Sequence, residues 1–121
     1  MPRHLDPAAI DRVAGQLRAG IGAGRSDLAE AARGVTAALA ARHPGHTIEV
    51  RVPPFAAVQV GTIAGDGPAH HRGTPPNVVE MSAETLVRLA AGDMAWADAV
   101  AAGLVRHSGA HAADVATMLP L

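Results

Sequence analysis

Between His43 and Val60 the spacing of apolar residues changes from a period of 3.6 to a period of 2, and this switch constrains the fold more than any other feature of the chain. Ile48, Val50 and Val52 alternate with Thr47, Glu49 and Arg51, the pattern of a strand with one buried face. Beyond Pro53-Pro54 a second run places Phe55, Ala57, Val58 and Val60 around Gln59, so two strands are joined or bent at the proline pair. Before the switch, Asp6-Pro7 sets an N-cap and a first helical residue for a helix over about 7–19 with Ile10, Val13, Ala14 and Leu17 on one face. Gly20, Gly22 and Gly24 end that helix and serve as a hinge; Asp27 and Glu30 then form a capping arrangement for a second, with Leu28, Ala31, Ala32, Val35 and Leu39 as its stripe. His43-Pro44-Gly45 stops it.

Residues 64–77 contain several glycines and prolines and no apolar period, so they read as a long loop, a kind of segment that often carries function. Val78, Val79 and Met81 make a third strand. Ser82 caps a helix running to Gly92, Asp93 caps another running to Gly103, Leu104–His107 is a short edge strand, and a last helical piece covers about 111–118. The predicted order is ααβββααβα, a mixed α+β domain without the strand–helix alternation of a Rossmann fold. At 121 residues the chain is one domain, helical over 1–45 and built of sheet and helices over 46–121.

Twenty-eight residues are alanine, and Phe55 and Trp96 are the only aromatics, so the core is thin in large side chains. Ten arginines against eleven acids leave a net charge of −1, which removes the electrostatic footprint of a nucleic-acid binder. The lack of cysteine excludes thiolate chemistry, disulfides and zinc–thiolate sites. The N-terminus has no apolar signal segment and the alanine-rich stretches are broken before they could span a bilayer, which predicts a cytoplasmic protein with no stable membrane insertion.

Residues 77–81 with Glu84–Gly92, Trp96–Gly103 and Ser108-Gly109 resemble the sterol carrier protein type 2 domain. More narrowly, Arg51–Gln59, Arg72-Gly73-Thr74-Pro75-Pro76-Asn77-Val78-Val79-Glu80 and the ending Leu119-Pro120-Leu121 resemble its small actinobacterial branch, the bacterial sterol carrier protein orthologs. The resemblance covers about residues 46–121 and, by pattern, the first two helices. It implies a mixed or antiparallel sheet of about five strands covered by helices, around an apolar cavity for a lipid-like molecule, with no fixed catalytic residues and no cofactor.

On that reading the apolar wall is drawn from Phe55, Val58, Val60, Val79, Met81, Leu86, Leu89, Met94, Trp96, Val100 and Met118, all of which also suit an ordinary core. The polar end is drawn from Arg51, His70, His71, Arg72 and Glu80, where arginine forks match a carboxylate or phosphate. The same arginines could instead pair with Glu80 and pin the loop to the sheet. Trp96 is expected to be largely buried, and the Arg72–Asn77 loop to hold one shape beside the strand bearing Arg51. His107 and His111 have the spacing of a helical metal pair but no third ligand near them in sequence, and no nucleophile elbow or Ser-His-Asp order occurs, so neither a metal site nor a catalytic set is expected. The leading reading is a non-enzymatic carrier of hydrophobic ligands. The alternatives are a module related to the C-terminal domain of mycothiol-dependent maleylpyruvate isomerases, whose metal-binding bundle these residues lack, and a scaffold that forms a homodimer because a thin core gains from a partner.

Overall fold

A computed structural model describes residues 6–64 and 75–121. The elements follow the predicted order: α1 (Pro7–Arg18), α2 (Arg25–Arg42), β1 (Ile48–Val52), β2 (Ala56–Val60), β3 (Asn77–Met81), α3 (Ala83–Ala91), α4 (Trp96–Ala101), β4 (Val105–Ser108) and a closing 3₁₀ helix, η1 (Ala112–Thr117). Among the described residues the sheet has four strands in the order β2-β1-β3-β4. β1 runs antiparallel to β2 and parallel to β3, and β3 antiparallel to β4.

The alternation read from the sequence becomes two faces. Ile48, Val50, Val52, Val60, Val79 and Met81 are buried against the helices, together with Val13 of α1, Val35 and Leu39 of α2, and Leu86, Val87 and Leu89 of α3. α2 packs on both α3 and β2, and α1 on α2 and α3. The small residues on the buried side of α2, Ala29, Ala31, Ala32 and Gly34, allow that close approach. Thr36, buried on the same helix, donates its hydroxyl proton to the Ala32 carbonyl at 2.9 Å, which satisfies it without a partner from another element.

Two helix starts follow the sequence reading and two do not. The Asp6 side chain accepts from the Ala8 amide at 3.0 Å, and Ser82 Oγ accepts from the Thr85 amide at 3.2 Å. α2, however, begins at Arg25, ahead of the Asp27–Glu30 pair: the Leu28 amide donates to the Gly24 carbonyl at 2.9 Å and closes the first turn there. Asp93 does not cap α4, whose N-cap is Ala95. Gly92, at φ +80°, turns α3 into a Schellman end in which the Asp93 amide donates to the Arg88 carbonyl at 2.9 Å. Asp93 thus belongs to the end of α3, and its carboxylate pairs with Arg18 in the last turn of α1. The edge strand is shifted by one residue, to Val105–Ser108, because Gly103 ends α4 in the same way and draws the Leu104 amide back to the Ala99 carbonyl. The proline pair joins the strands: Pro53-Pro54 carries a cis peptide bond and the Phe55 amide donates to the Val52 carbonyl at 2.9 Å, a hairpin turn.

One buried polar side chain ties three segments together. Asn77, 4% exposed at the start of β3, donates through Nδ2 to the Thr47 carbonyl at 3.0 Å and accepts through Oδ1 from the His111 amide at 2.9 Å. Its side chain thus joins the run into β1 to the chain beyond β4. Gly109 lies against it at φ +100°, where an added Cβ would stand 2.3 Å from Asn77 Oδ1 and 2.7 Å from the Pro76 carbonyl oxygen. Asn77→Ala is expected to cost about 2–4 kcal/mol, since it strands a buried carbonyl and an amide. Gly109→Ala should cost at least ~1 kcal/mol from its backbone conformation alone, and more from the clash. Because Asn77→Ala removes the nearest clashing atom, chemical denaturation of the double variant should show a loss smaller than the sum of the two. Additive losses would mean that the two residues do not share one contact.

Candidate functional site

The sheet register decides where the candidate site residues stand. Arg51 is the parallel partner of Glu80, which is itself opposite Arg106 of β4, and Glu49 is the partner of Val78. Glu49, Arg51 and Glu80 lie on the face of the sheet turned away from the helices, because each sits between buried neighbours on its strand, and Arg106 shares that face as the cross-strand partner of Glu80. Arg51 Nη2 donates to Glu49 Oε2 at 3.1 Å. The hydrogen bond to Glu49 and the charge of Glu49 raise the pKa of the Arg51 guanidinium above its ordinary value; desolvation opposes them, and Glu80 adds a smaller upward pull. Of the two arginines that could pair with Glu80, Arg51 pairs instead with Glu49 on its own strand, and Arg72 lies outside the described residues. His70, His71 and Arg72 lie outside the described residues, as does most of the Arg72–Asn77 loop; of its described residues, Pro75 and Asn77 are buried and Pro76 is exposed.

The apolar set falls on the other face. Val60, Val79, Met81, Leu86, Leu89 and Met118 are buried in one cluster, and Phe55, Val58, Met94, Trp96 and Val100 pack on its margin, half-buried. Of the expected polar end, Arg51 and Glu80 are therefore on the opposite side of the sheet from the apolar wall. The marginal five divide further. Phe55 and Val58 belong to the β1–β2 hairpin at one edge of the sheet, whereas Met94, Trp96 and Val100 accompany α4 beside β4 at the other. Trp96, expected to be largely buried, is half-buried because α4 is only six residues long and buries Ala99 alone. Its ring stacks obliquely near His107, with centroids 6.3 Å apart and planes at 42°. Leu104, just after α4, is 41% exposed.

His107 and His111 do not converge. His107 lies beside Trp96, while His111 Nδ1 stands 3.8 Å from Asp114 Oδ2, and no group of three metal-ligating side chains is found among the described residues. No helix among the described residues is long and apolar enough to cross a membrane.

Three of the surface clefts among the described residues bear on these positions. Two lie along the charged sheet face: one of about 300 Å³ lined by Arg51, Val78, Glu80, Arg106, His107 and Ser108, and one of about 460 Å³ between Glu49, Arg51 and the β1–β2 turn. The third, of about 610 Å³, opens between the first turns of α2 and the same turn, lined by Arg25, Ser26, Ala29, Glu30, Arg33, Pro54 and Phe55. Sequence reading found Phe55 but not the others. The spacing of Ser26, Ala29, Glu30 and Arg33 places them on one helix face, yet nothing in the sequence says that this face meets the hairpin. Since the Arg51 side chain is 40% exposed and its pairing is with a neighbour on its own strand, Arg51→Ala should leave the melting temperature within error of the parent at physiological salt. A drop of several degrees would assign the outer-face charges a structural role.

No curated protein matches the chain. A family model described as bacterial SCP ortholog matches residues 24–121, from the hinge before α2 to the C-terminus, and the chain with its four-stranded α+β fold therefore belongs to the bacterial sterol carrier protein ortholog family.

Proposed function

We propose that the protein is a non-enzymatic, cytoplasmic carrier of a hydrophobic, lipid-like ligand, taken up between the helix-facing side of the sheet and α4. The observation that carries this reading is the contrast between α4 and the rest of the helical layer. α3 buries Ala83, Thr85, Leu86, Val87, Leu89 and Ala90, whereas α4 buries Ala99 only, and around it Met94, Trp96 and Val100 rest half-covered on the core. A permanent void of about 300 Å³, enough for a medium acyl chain, would cost roughly 7 kcal/mol, comparable with the whole stability of a small domain. A core this short of large side chains is better kept closed and opened locally, at the element whose displacement exposes least apolar surface. α4 is that element. Met94 supplies an adaptable contact and Trp96 a broad apolar one. Family membership supports the carrier class, and the apolarity of the residues around α4 supports a hydrophobic ligand.

Trp96 is the only tryptophan, so its emission reads this site without labelling. Titration with palmitic acid should shift its emission saturably to the blue, and Met94→Ala should weaken the apparent affinity several-fold while leaving the fold intact by circular dichroism. Binding seen by calorimetry without any change at Trp96 would move the site away from α4, and no binding of acyl or sterol ligands by either method would overturn the carrier reading.

A further inference from the structure

Arg25 and Arg33 stand two turns apart on α2, and both side chains close on the same residue of the β1–β2 turn. The Arg25 guanidinium carbon lies 5.2 Å over the centroid of the Phe55 ring, and Arg33 Nε donates to the Phe55 carbonyl oxygen at 3.4 Å. Two like charges are thus held by one residue, one at its ring and the other at its backbone carbonyl. Neither has a carboxylate within 4.0 Å among the described residues, in contrast to Arg18 and Arg51, which are paired with Asp93 and Glu49. The contacts that hold them leave donors free: Arg25 is engaged through its π face, and Arg33 through Nε, with its two Nη groups uncommitted among the described residues. Both face the cleft of about 610 Å³, whose polar lining is completed by Ser26 and whose one acid is Glu30.

We infer that this cleft is an anion site for a phosphomonoester group, bridged by Arg25 and Arg33. A guanidinium fork offers paired N–H donors that match phosphate oxygens, and a doubly charged group can accept from one fork on each side. Both arginines project from a helix and are already oriented by Phe55, so little side-chain freedom is lost on binding. The site is at the β2 edge of the sheet, the opposite edge from α4, and does not depend on the carrier reading. The phosphomonoester can belong to a small soluble metabolite or to the headgroup of an acidic lipid, and the experiment separates these.

The intact chain is titrated with methyl phosphate by calorimetry at about physiological salt, and tested for flotation with phosphatidylcholine vesicles with and without phosphatidic acid. Since both arginines are exposed, Arg25→Gln/Arg33→Gln should fold normally, which the melting temperature checks. Saturable methyl phosphate binding that weakens at least tenfold in the double variant, and tightens in Glu30→Gln, identifies a soluble ligand. No methyl phosphate binding, with vesicle recruitment that requires phosphatidic acid and both arginines, identifies a headgroup. Binding to neither probe, or binding that the double variant retains within twofold, overturns the site. Failure here with a normal palmitic acid response at Trp96 would leave the carrier reading standing, and phosphate binding without that response would do the reverse.

Discussion

The parallel pairing of β1 with β3 sets Val50 beside Val79 and Arg51 beside Glu80, and both faces of the protein follow from that register. Because side chains alternate along a strand, a slip of one residue would turn Arg51 and Glu80 into the helical layer and Val50 and Val79 out to solvent. A parallel pair is joined through a long connection, so no tight turn enforces its register. Asn77 supplies the missing constraint. It stands at the first position of the pair, opposite Ile48, and its amide reaches the carbonyl of Thr47, the residue just before β1. The same side chain receives the His111 amide, so the position of β3 against β1 and the path of the chain after β4 are fixed by one buried group whose hydrogen bonds are satisfied on both sides. Gly109 is the consequence: the chain passes so close to Asn77 that no side chain fits.

With the register fixed, the chain divides its labour between the sheet's faces and edges. The helix side is apolar and closed over its middle by α2 and α3, and only thinly closed at the β4 edge by α4. The outer side carries alternating charges, of which Arg51 and Glu49 pair with each other. The β2 edge carries two arginines with no carboxylate partner among the described residues. The half-buried residues around α4 and the arginine pair beside Phe55 are therefore at different edges of the sheet, and Arg51 and Glu80 lie on the face turned away from the apolar set.

Much of this was legible before any coordinates. The period change marked the strands, Asp6 and Ser82 marked helix starts, and the order of elements followed. Even the separation of Arg51 from the apolar wall is written in the alternation, since Arg51 lies between Val50 and Val52 and Glu80 between Val79 and Met81. What could not be read was where hydrogen-bonding capacity is spent. Asp93 looks like a cap until Gly92 takes up a left-handed conformation and its amide is used to finish α3. Asn77 looks like a turn residue until the chain brings Thr47 and His111 to it. Arg25 and Arg33 acquire meaning only through Phe55, a contact between residues 30 and 22 positions apart that depends on how α2 settles on the hairpin.

An α4 that opens separately from an otherwise tightly held core is measured directly by native-state hydrogen exchange with mass spectrometry. The amides of Ala99 to Leu104 are expected to exchange far faster than those of Val50 and Val79 in the central strands, and palmitic acid to slow α4 selectively. Equal protection of α4 and the central strands, unchanged by the ligand, would contradict separate opening.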